Sequence, residues 1–386
     1  DWWDTRWLHV PNGSAHLAGS LFEENHAKWK KVDGYGKKIL LSSVPYTPFV
    51  NLVSRQPAIH AWPSTKYEWG KQRAIYGTDV EGFMLYDFAY PECEASLPKY
   101  IVSGAEASEE RVRDMMSLVS ADTFPFCFDF EDFNSQHSTD SMRAVLEAYR
   151  SVHQGSMTRQ QIDAALWCEQ AVEHMFIHGS AVYGTSDYKA SGTLLSGWRL
   201  TTLVNGVLNR VYLEWAGCVE QTLASVHSGD DVFSATVGLR EAETFRRLAK
   251  SRGIRAQASK AATGSIAEFL RVDHRGSATG AQYLPRAAAT AVHGRMESRK
   301  AVTLASAVDA ALMRGGELKK RGASNDTVDE VLKLQYAHIE RIFASKQGTA
   351  AQYTSHHPLE GGRDRDAPLT GTRLVTEESD IEKTTA

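Results

Sequence analysis

The stretch Val226-His227-Ser228-Gly229-Asp230-Asp231-Val232-Phe233 constrains this chain more than any other. It sets two adjacent carboxylates on a glycine turn between two runs, Thr222–His227 and Val232–Val237, that read as strands. Glycine supplies the positive φ of a hairpin turn, and Asp tolerates its tight backbone. Neighbouring Asp side chains at a hairpin tip repel unless a cation stands with them. Mg²⁺ is typically held by one or two carboxylates together with substrate phosphates. A surface turn rich in Asp has the same sequence, so the hairpin needs a partner before it means chemistry.

That partner lies about a hundred residues upstream. Phe124-Pro125-Phe126-Cys127-Phe128-Asp129 reads as a buried aromatic strand ending on a carboxylate, followed by the polar stretch Glu131 to His137. A helix cap accounts for Asn134 or Ser135, but not for Asp129 at the end of an aromatic strand. Joined by the fold, Asp129 and the Gly-Asp-Asp hairpin would furnish a two-metal phosphoryl-transfer site. In such sites two cations about 3.5–4 Å apart activate the attacking oxygen and stabilise the leaving one. Between the two carboxylate segments, Ser196-Gly197 reads as a flexible turn opening a helix over Leu200–Leu213. Thr201 and Asn205 stand four residues apart and share a face of that helix. A hydroxyl and an amide on one face suit a ribose 2′-OH, which both donates and accepts; side chains merely exposed on a core helix are the plain alternative.

The rest of the chain sets limits. Its 386 residues, 42% hydrophobic and 23% charged, suit two or three subdomains around a core. The net charge of −4 gives no global attraction to a polyanion, so a nucleic-acid partner needs a local basic surface. Residues 238–300 offer one, with thirteen Lys and Arg against five Asp and Glu. Cys93, Cys127, Cys168 and Cys218 are scattered without CxxC spacing, which argues against a zinc site or a disulfide framework. No signal peptide, lipidation motif or long apolar run appears, so no membrane partner is expected. A chain beginning on Asp rather than Met reads as a piece of a longer polyprotein. Patterning predicts helices over Ser108–Val119, Asp140–His153, Thr158–Phe176 and Asn325–Lys346, and a polar, disordered or truncated tail over 347–386.

The ordered series resembles the palm of viral RNA-dependent RNA polymerases, most closely the totivirus and victorivirus group of double-stranded RNA viruses. Motif A of that group is similar to Asp129–His137, motif B to Ser196-Gly197 with Thr201 and Asn205, and motif C to Gly229-Asp230-Asp231. Ala258-Ser259-Lys260 resembles the motif D lysine, and Glu268-Phe269-Leu270-Arg271 the palm–thumb junction. Lys66-Tyr67-Glu68 and Lys71-Gln72-Arg73 resemble fingers motif F, and Pro11 to His16 resembles motif G. The resemblance covers residues 1–275.

It implies an α+β right-hand polymerase, with an antiparallel palm sheet and surrounding helices. Residues 1–120 would be partial fingers, 121–275 the palm with an inserted fingers segment, and 276–346 the start of a thumb. Asp129, Asp230 and Asp231 would hold two Mg²⁺ or Mn²⁺ ions, and Lys260 would be the general acid for pyrophosphate. Asn134, Ser196, Gly197, Thr201 and Asn205 would read the nucleotide and its ribose. Lys71 and Arg73 would lie on the triphosphate, and Lys66 and Arg271 on RNA. The implied partners are RNA template and nascent RNA, nucleoside triphosphates and a viral capsid protein, the last fused upstream. The implied place is the virion interior and host cytoplasm. Reverse transcriptases share the palm but differ before the second Asp and carry a bulky aromatic against the 2′-OH. A non-catalytic packaging module with a relic palm would have lost Asp129, Asp230 or Arg73, all present here.

Overall fold

The structure, a computed structural model, describes residues 2–8, 10, 37–68, 71–119, 122–179, 184, 186–270, 272–274, 284–293 and 303–374. The segment Pro11 to His16 and Arg271 lie outside the described residues, and of Lys71 only the backbone is described. The chain divides into two compact units, Asp1–Leu270 and Arg271–Ala386.

The first unit is α+β. Among the described residues its two larger sheets are built from β1 (Ile59–Glu68), β2 (Lys71–Thr78), β3 (Phe124–Asp129), β4 (Met175–Ile177), β5 (Tyr188–Lys189), β6 (Ala224–Ser228), β7 (Asp231–Thr236) and β8 (Ala262–Thr263). They form two four-stranded sheets, one ordered β2-β1-β4-β5 and the other β6-β7-β3-β8. In the first, β1 runs antiparallel to β2 and parallel to β4. The second sheet is antiparallel throughout.

Strand β3 is central, and its position explains its unbroken apolar sequence: it is covered on both faces. Phe126 and Phe128 pack toward Phe245 and Ala249 of the helix Leu239–Ser251. Cys127, on the opposite face, joins Val112 and Met116 of the helix Glu109–Val119, with Ala267 and Phe269. The Phe126 and Phe245 rings meet edge to face at 5.1 Å, the arrangement their quadrupoles favour. A larger cluster ties the first sheet to the helices Val80–Ala89, Thr139–His153, Arg159–Ala171 and Thr201–Trp215. Ser138 with Ser141 and Thr158 with Gln161 close reciprocal caps that fix where two of these helices start.

The helix predicted over Thr158–Phe176 stops at Ala171. Met175–Ile177 instead extends as β4, because Ile59–Ala61 presents it a parallel strand edge. Pairing outweighs helical periodicity there. In the second unit the helices Leu304–Lys320 and Asn325–Ile342 share an apolar seam through Val308, Ala311 and Ile339. The tail expected to lack structure carries a helix, Thr349–Ser355, whose Ala350 and Tyr353 are buried in that seam. Glu360 anchors the stretch beyond this helix by accepting hydrogen bonds from the Thr370 and Gly371 amides. A few well-placed apolar side chains suffice to dock a segment whose average composition is polar.

Candidate active site

The turn joining β6 to β7 is Gly229-Asp230, with Gly229 at φ +59°, the left-handed region that favours glycine. Antiparallel register sets Asp129, the last residue of β3, directly opposite Asp231, the first of β7. Opposed residues of an antiparallel pair stand on the same face of a sheet. The two carboxylate segments therefore meet at one end of the central strands, with Asp230 next to them on the turn.

Lys260 closes this end. Its Nζ lies 2.7 Å from Asp129 Oδ2. The backbone brings it there: the Gln257 amide donates to the Asp129 carbonyl (2.9 Å), and Lys260 ends the short helical turn Ala258–Lys260 before β8 pairs with β3. The other carboxylate oxygen, Asp129 Oδ1, is buried and has no hydrogen-bond partner among the described residues.

The loop after β3 folds back on itself. Gln136 donates to the Glu131 and Arg255 carbonyls and accepts from the Arg255 amide. This holds Asn134 against the helix Thr201–Trp215, where Asn205 Nδ2 donates to Asn134 Oδ1 at 3.0 Å. The two asparagines expected at the ribose are thus in direct contact. Thr201 sits one turn earlier, with its hydroxyl 2.9 and 2.8 Å from the Leu195 and Trp198 carbonyls, which it uses to tie down the loop before the helix.

Ser196-Gly197, read from sequence as a flexible turn, is a point of close approach. Gly197 bridges Gly77, and the Tyr76 amide lies 3.4 Å from Ser196 Oγ. A Cβ at Gly197 would stand 1.9 Å from the Tyr76 carbonyl oxygen. The strand held this way, β2, carries Arg73, which faces Lys66 across the β1–β2 pair, both side chains exposed.

Sequence reasoning missed Asn209 and His227, two polar residues with no exposed surface. Asn209 Nδ2 donates to the Gly229 carbonyl at 2.9 Å, and its Oδ1 meets His227 Nδ1 at 2.8 Å. His227 Nε2 meets Ser225 Oγ at 2.9 Å, and Arg210 donates to that same oxygen at 2.8 Å. An amide oxygen only accepts and a guanidinium only donates. The chain therefore runs one way, from Arg210 through Ser225, His227 and Asn209 to the turn. The only signal in the sequence was polarity inside an otherwise apolar helix and strand.

Burial, reinforced by the Arg210 guanidinium, pushes the His227 imidazole down to about 3. A histidine with a native pKa below its unfolded value of about 6.5 supports the fold above that pH. That support is withdrawn as pH falls toward the native value. The denaturant midpoint of the protein should therefore drop more steeply between about pH 6.5 and 4 than that of His227→Gln. Parallel pH slopes would show that His227 is not the residue responsible.

Residues 1–296 match the family model described as viral RNA-directed RNA polymerase. This chain belongs to that family. It is 37% identical over 383 residues to the "Probable RNA-directed RNA polymerase" of Saccharomyces cerevisiae virus L-BC, a match covering 99% of this chain and 25% of that protein. It is 35% identical to the like-named protein of Saccharomyces cerevisiae virus L-A, over 98% of this chain and 25% of the relative. The counterpart in Helminthosporium victoriae virus-190S is 28% identical over 84% of this chain and 38% of that protein. The chain thus spans about a quarter of the length of the first two relatives. Among solved structures, the RNA-dependent RNA polymerase of a human picobirnavirus superposes with a TM-score of 0.54 at 14% identity, covering 76% of this chain and 60% of that one. An RdRp complex superposes at 0.62 and 15% identity, over 87% of this chain and 31% of that one. Both likenesses show the viral polymerase fold.

Members of the family generally work with divalent metal ions. Among the described residues no three His, Cys, Asp or Glu side chains converge at metal-ligand spacing. Mg²⁺ does not require that, since one or two carboxylates and substrate phosphates suffice. The partnerless, buried Asp129 Oδ1, opposite a second carboxylate strand, is the donor such an ion would take. The residues fit the ion. No helix among the described residues is long and apolar enough to cross a membrane.

Proposed function

We propose that this chain carries the catalytic core of a template-directed RNA polymerase, joining nucleoside triphosphates on an RNA template in replication and transcription of a double-stranded RNA virus genome. The observation that carries this reading is the carboxylate pair Asp129 and Asp231, set opposite each other beside a Gly-Asp turn with Lys260 in hydrogen-bond reach.

Asp129 and Asp230, supported by Asp231, would hold two ions of Mg²⁺ or Mn²⁺. Bound there, such ions polarise the phosphoryl group and lower the pKa of an attacking hydroxyl. Arg73 and Lys71 offset charge on the triphosphate, as cations do in phosphoryl transfer generally. Lys66 and Arg271 contact RNA phosphates, an affinity weakened by salt. Asn134 and Asn205 read the ribose, with Ser196, Gly197 and Thr201 shaping the loop behind them. Lys260 holds Asp129 in the free protein and delivers a proton to pyrophosphate as it leaves. The resemblance to the totivirus group supports a capsid-protein partner fused upstream and a place in the virion interior and host cytoplasm.

Incorporation of labelled nucleotide on a single-stranded RNA template, with Mg²⁺ or Mn²⁺, tests the reading. Synthesis that depends on template and metal is expected; its absence in the intact protein would sink the polymerase assignment in favour of a relic palm. Lys260→Ala sharpens the test. General-acid catalysis supplies about 10²–10⁴-fold, so single-turnover incorporation at saturating metal should slow about a hundredfold or more. The metal concentration for half-maximal rate should fall at the same time, because no ammonium then competes for Asp129. An unchanged rate removes Lys260 from proton transfer.

A further inference from the structure

The turn that carries Asp230 has a loose joint, and a buried row of polar side chains holds it. Pairing of β6 with β7 ends at Ser228 opposite Asp231, so the peptide between Gly229 and Asp230 lies outside the ladder. Gly229 stands at φ +59°, and Asp230 is not among the positive-φ residues, the sign pattern of a type II′ turn. Type I′ differs from it by a half-turn of that one peptide, and Asp tolerates the positive φ that I′ would ask of it. A Cβ at Gly229 would meet nothing within 4 Å, so packing around the glycine does little to choose between the two.

Asn209 does choose. A backbone carbonyl only accepts, so the atom that Asn209 sets 2.9 Å from the Gly229 oxygen is its nitrogen, and its oxygen faces His227. That oxygen needs a donor, which places the ring proton on His227 Nδ1. The buried ring is neutral at ordinary pH, so Nε2 accepts, and the Ser225 hydroxyl is its donor. The backbone around the row is pinned as well. The His227 amide donates to the Tyr100 carbonyl at 2.8 Å and the Val102 amide to the His227 carbonyl at 2.7 Å, so β6 is held on both edges. At the outer end Arg210 bonds Ser225 and Glu214 and lies 4.8 Å over the Tyr100 ring. Helix and strand are fixed, and the turn peptide is the part left to move.

We infer that Asn209 is a positioning residue for the metal ions: by holding the Gly229 carbonyl it selects one of two peptide orientations, and so fixes the direction in which Asp230 offers its carboxylate. His227 keeps Asn209 facing the turn. The inference rests on the polymerase reading above and adds residues to it that need not touch substrate. Groups that orient a metal's ligands are worth about 10–100-fold in affinity or activity when lost.

The experiment counts Mn²⁺ bound to the intact protein without nucleotide, by electron paramagnetic resonance, and takes the binding that Asp230→Asn removes as that of the turn. Asn209→Leu, similar in size but with nothing to donate, should weaken that binding about tenfold or more. Single-turnover incorporation at saturating metal should slow about a hundredfold. Leu208→Ala, on the same helix and buried in an apolar cluster, loses stability without touching the row. It should bind Mn²⁺ within about twofold of wild type.

A second pair of variants decides the matter even where Asn209→Leu does not fold. His227→Gln keeps an N–H for Asn209 and an oxygen for Ser225, and should stay within about twofold of wild type. His227→Leu offers neither and should lose about tenfold in Mn²⁺ affinity. Wild-type Mn²⁺ affinity in Asn209→Leu or in His227→Leu, or an equal loss in Leu208→Ala, overturns the inference while leaving RNA synthesis by the wild type in place. So does Mn²⁺ binding that never depended on Asp230. A wild type that makes no RNA with either metal overturns the polymerase reading itself.

Discussion

Asp129→Asn and Asp230→Asn, made separately, should each lower nucleotide incorporation by about a thousandfold or more, the scale of losing a charge that acts on the transition state. Both substitutions keep the shape of the side chain and remove its charge. Asp129 is flanked by well-packed strand on both faces, and the strand itself does not depend on the carboxylate. Melting temperatures should accordingly stay within about 3 °C of wild type, the range of a surface-sized perturbation. RNA affinity without nucleotide should be little changed, since neither substitution removes a cation that could meet RNA phosphates. The two carboxylates act as a unit, so the double variant should be no slower than the slower single one. Substantial incorporation by either single variant would remove that carboxylate from the chemistry.

Gly197→Ala should damage stability and rate together. Its Cβ would stand 1.9 Å from the Tyr76 carbonyl oxygen and 2.8 Å from the carbonyl carbon. Both are backbone atoms of β2 and cannot rotate away. Relief therefore requires β2 and the loop before Thr201 to separate. Overpacking of this kind costs about 3 kcal/mol or more, and a displacement of about 1 Å at a reacting centre costs about a hundredfold in rate. The expected result is a melting temperature lower by several degrees, together with incorporation reduced about a hundredfold. Wild-type stability and rate in Gly197→Ala would show that the two backbones are not held at this distance in solution.

Much of this was legible in the chain because the chemistry needs rare residue types at turns and strand ends. Asp129 closes an aromatic run, and Gly229 is the residue a positive-φ turn selects. The resemblance implied that Asn134 and Asn205 both serve the ribose; that their side chains touch is what the structure adds. Other features were not legible, for identifiable reasons. Gly197 has one sequence meaning for flexibility and another for close approach, and only the position of Tyr76 distinguishes them. Thr201 shares a helix face with Asn205 but directs its hydroxyl to its own loop, which helical spacing alone does not reveal. Asn209, on the helix Thr201–Trp215, and His227 and Ser225, on β6, satisfy one another across two elements, so each looks like an isolated polar residue in the sequence. Met175–Ile177 became a strand because a distant edge was waiting for it. The helix Thr349–Ser355 is docked by two side chains in a segment of polar average.

The central place of β3 has a further consequence, which concerns synthesis rather than catalysis. Its two pairing partners, β7 and β8, come more than a hundred residues after it. At about 5–20 residues per second, translation leaves this strand without either neighbour for roughly 5–20 s. During that interval Phe124-Pro125-Phe126-Cys127-Phe128 is an apolar, strand-forming stretch with open edges, the kind of segment that pairs with other chains. Proline cannot donate a ladder hydrogen bond and interrupts such pairing. Pro125 then serves the nascent chain as a gatekeeper, tolerated in the finished sheet opposite Ala235. Replacing it with Val would be expected to leave the folded sheet intact and to lower the soluble yield.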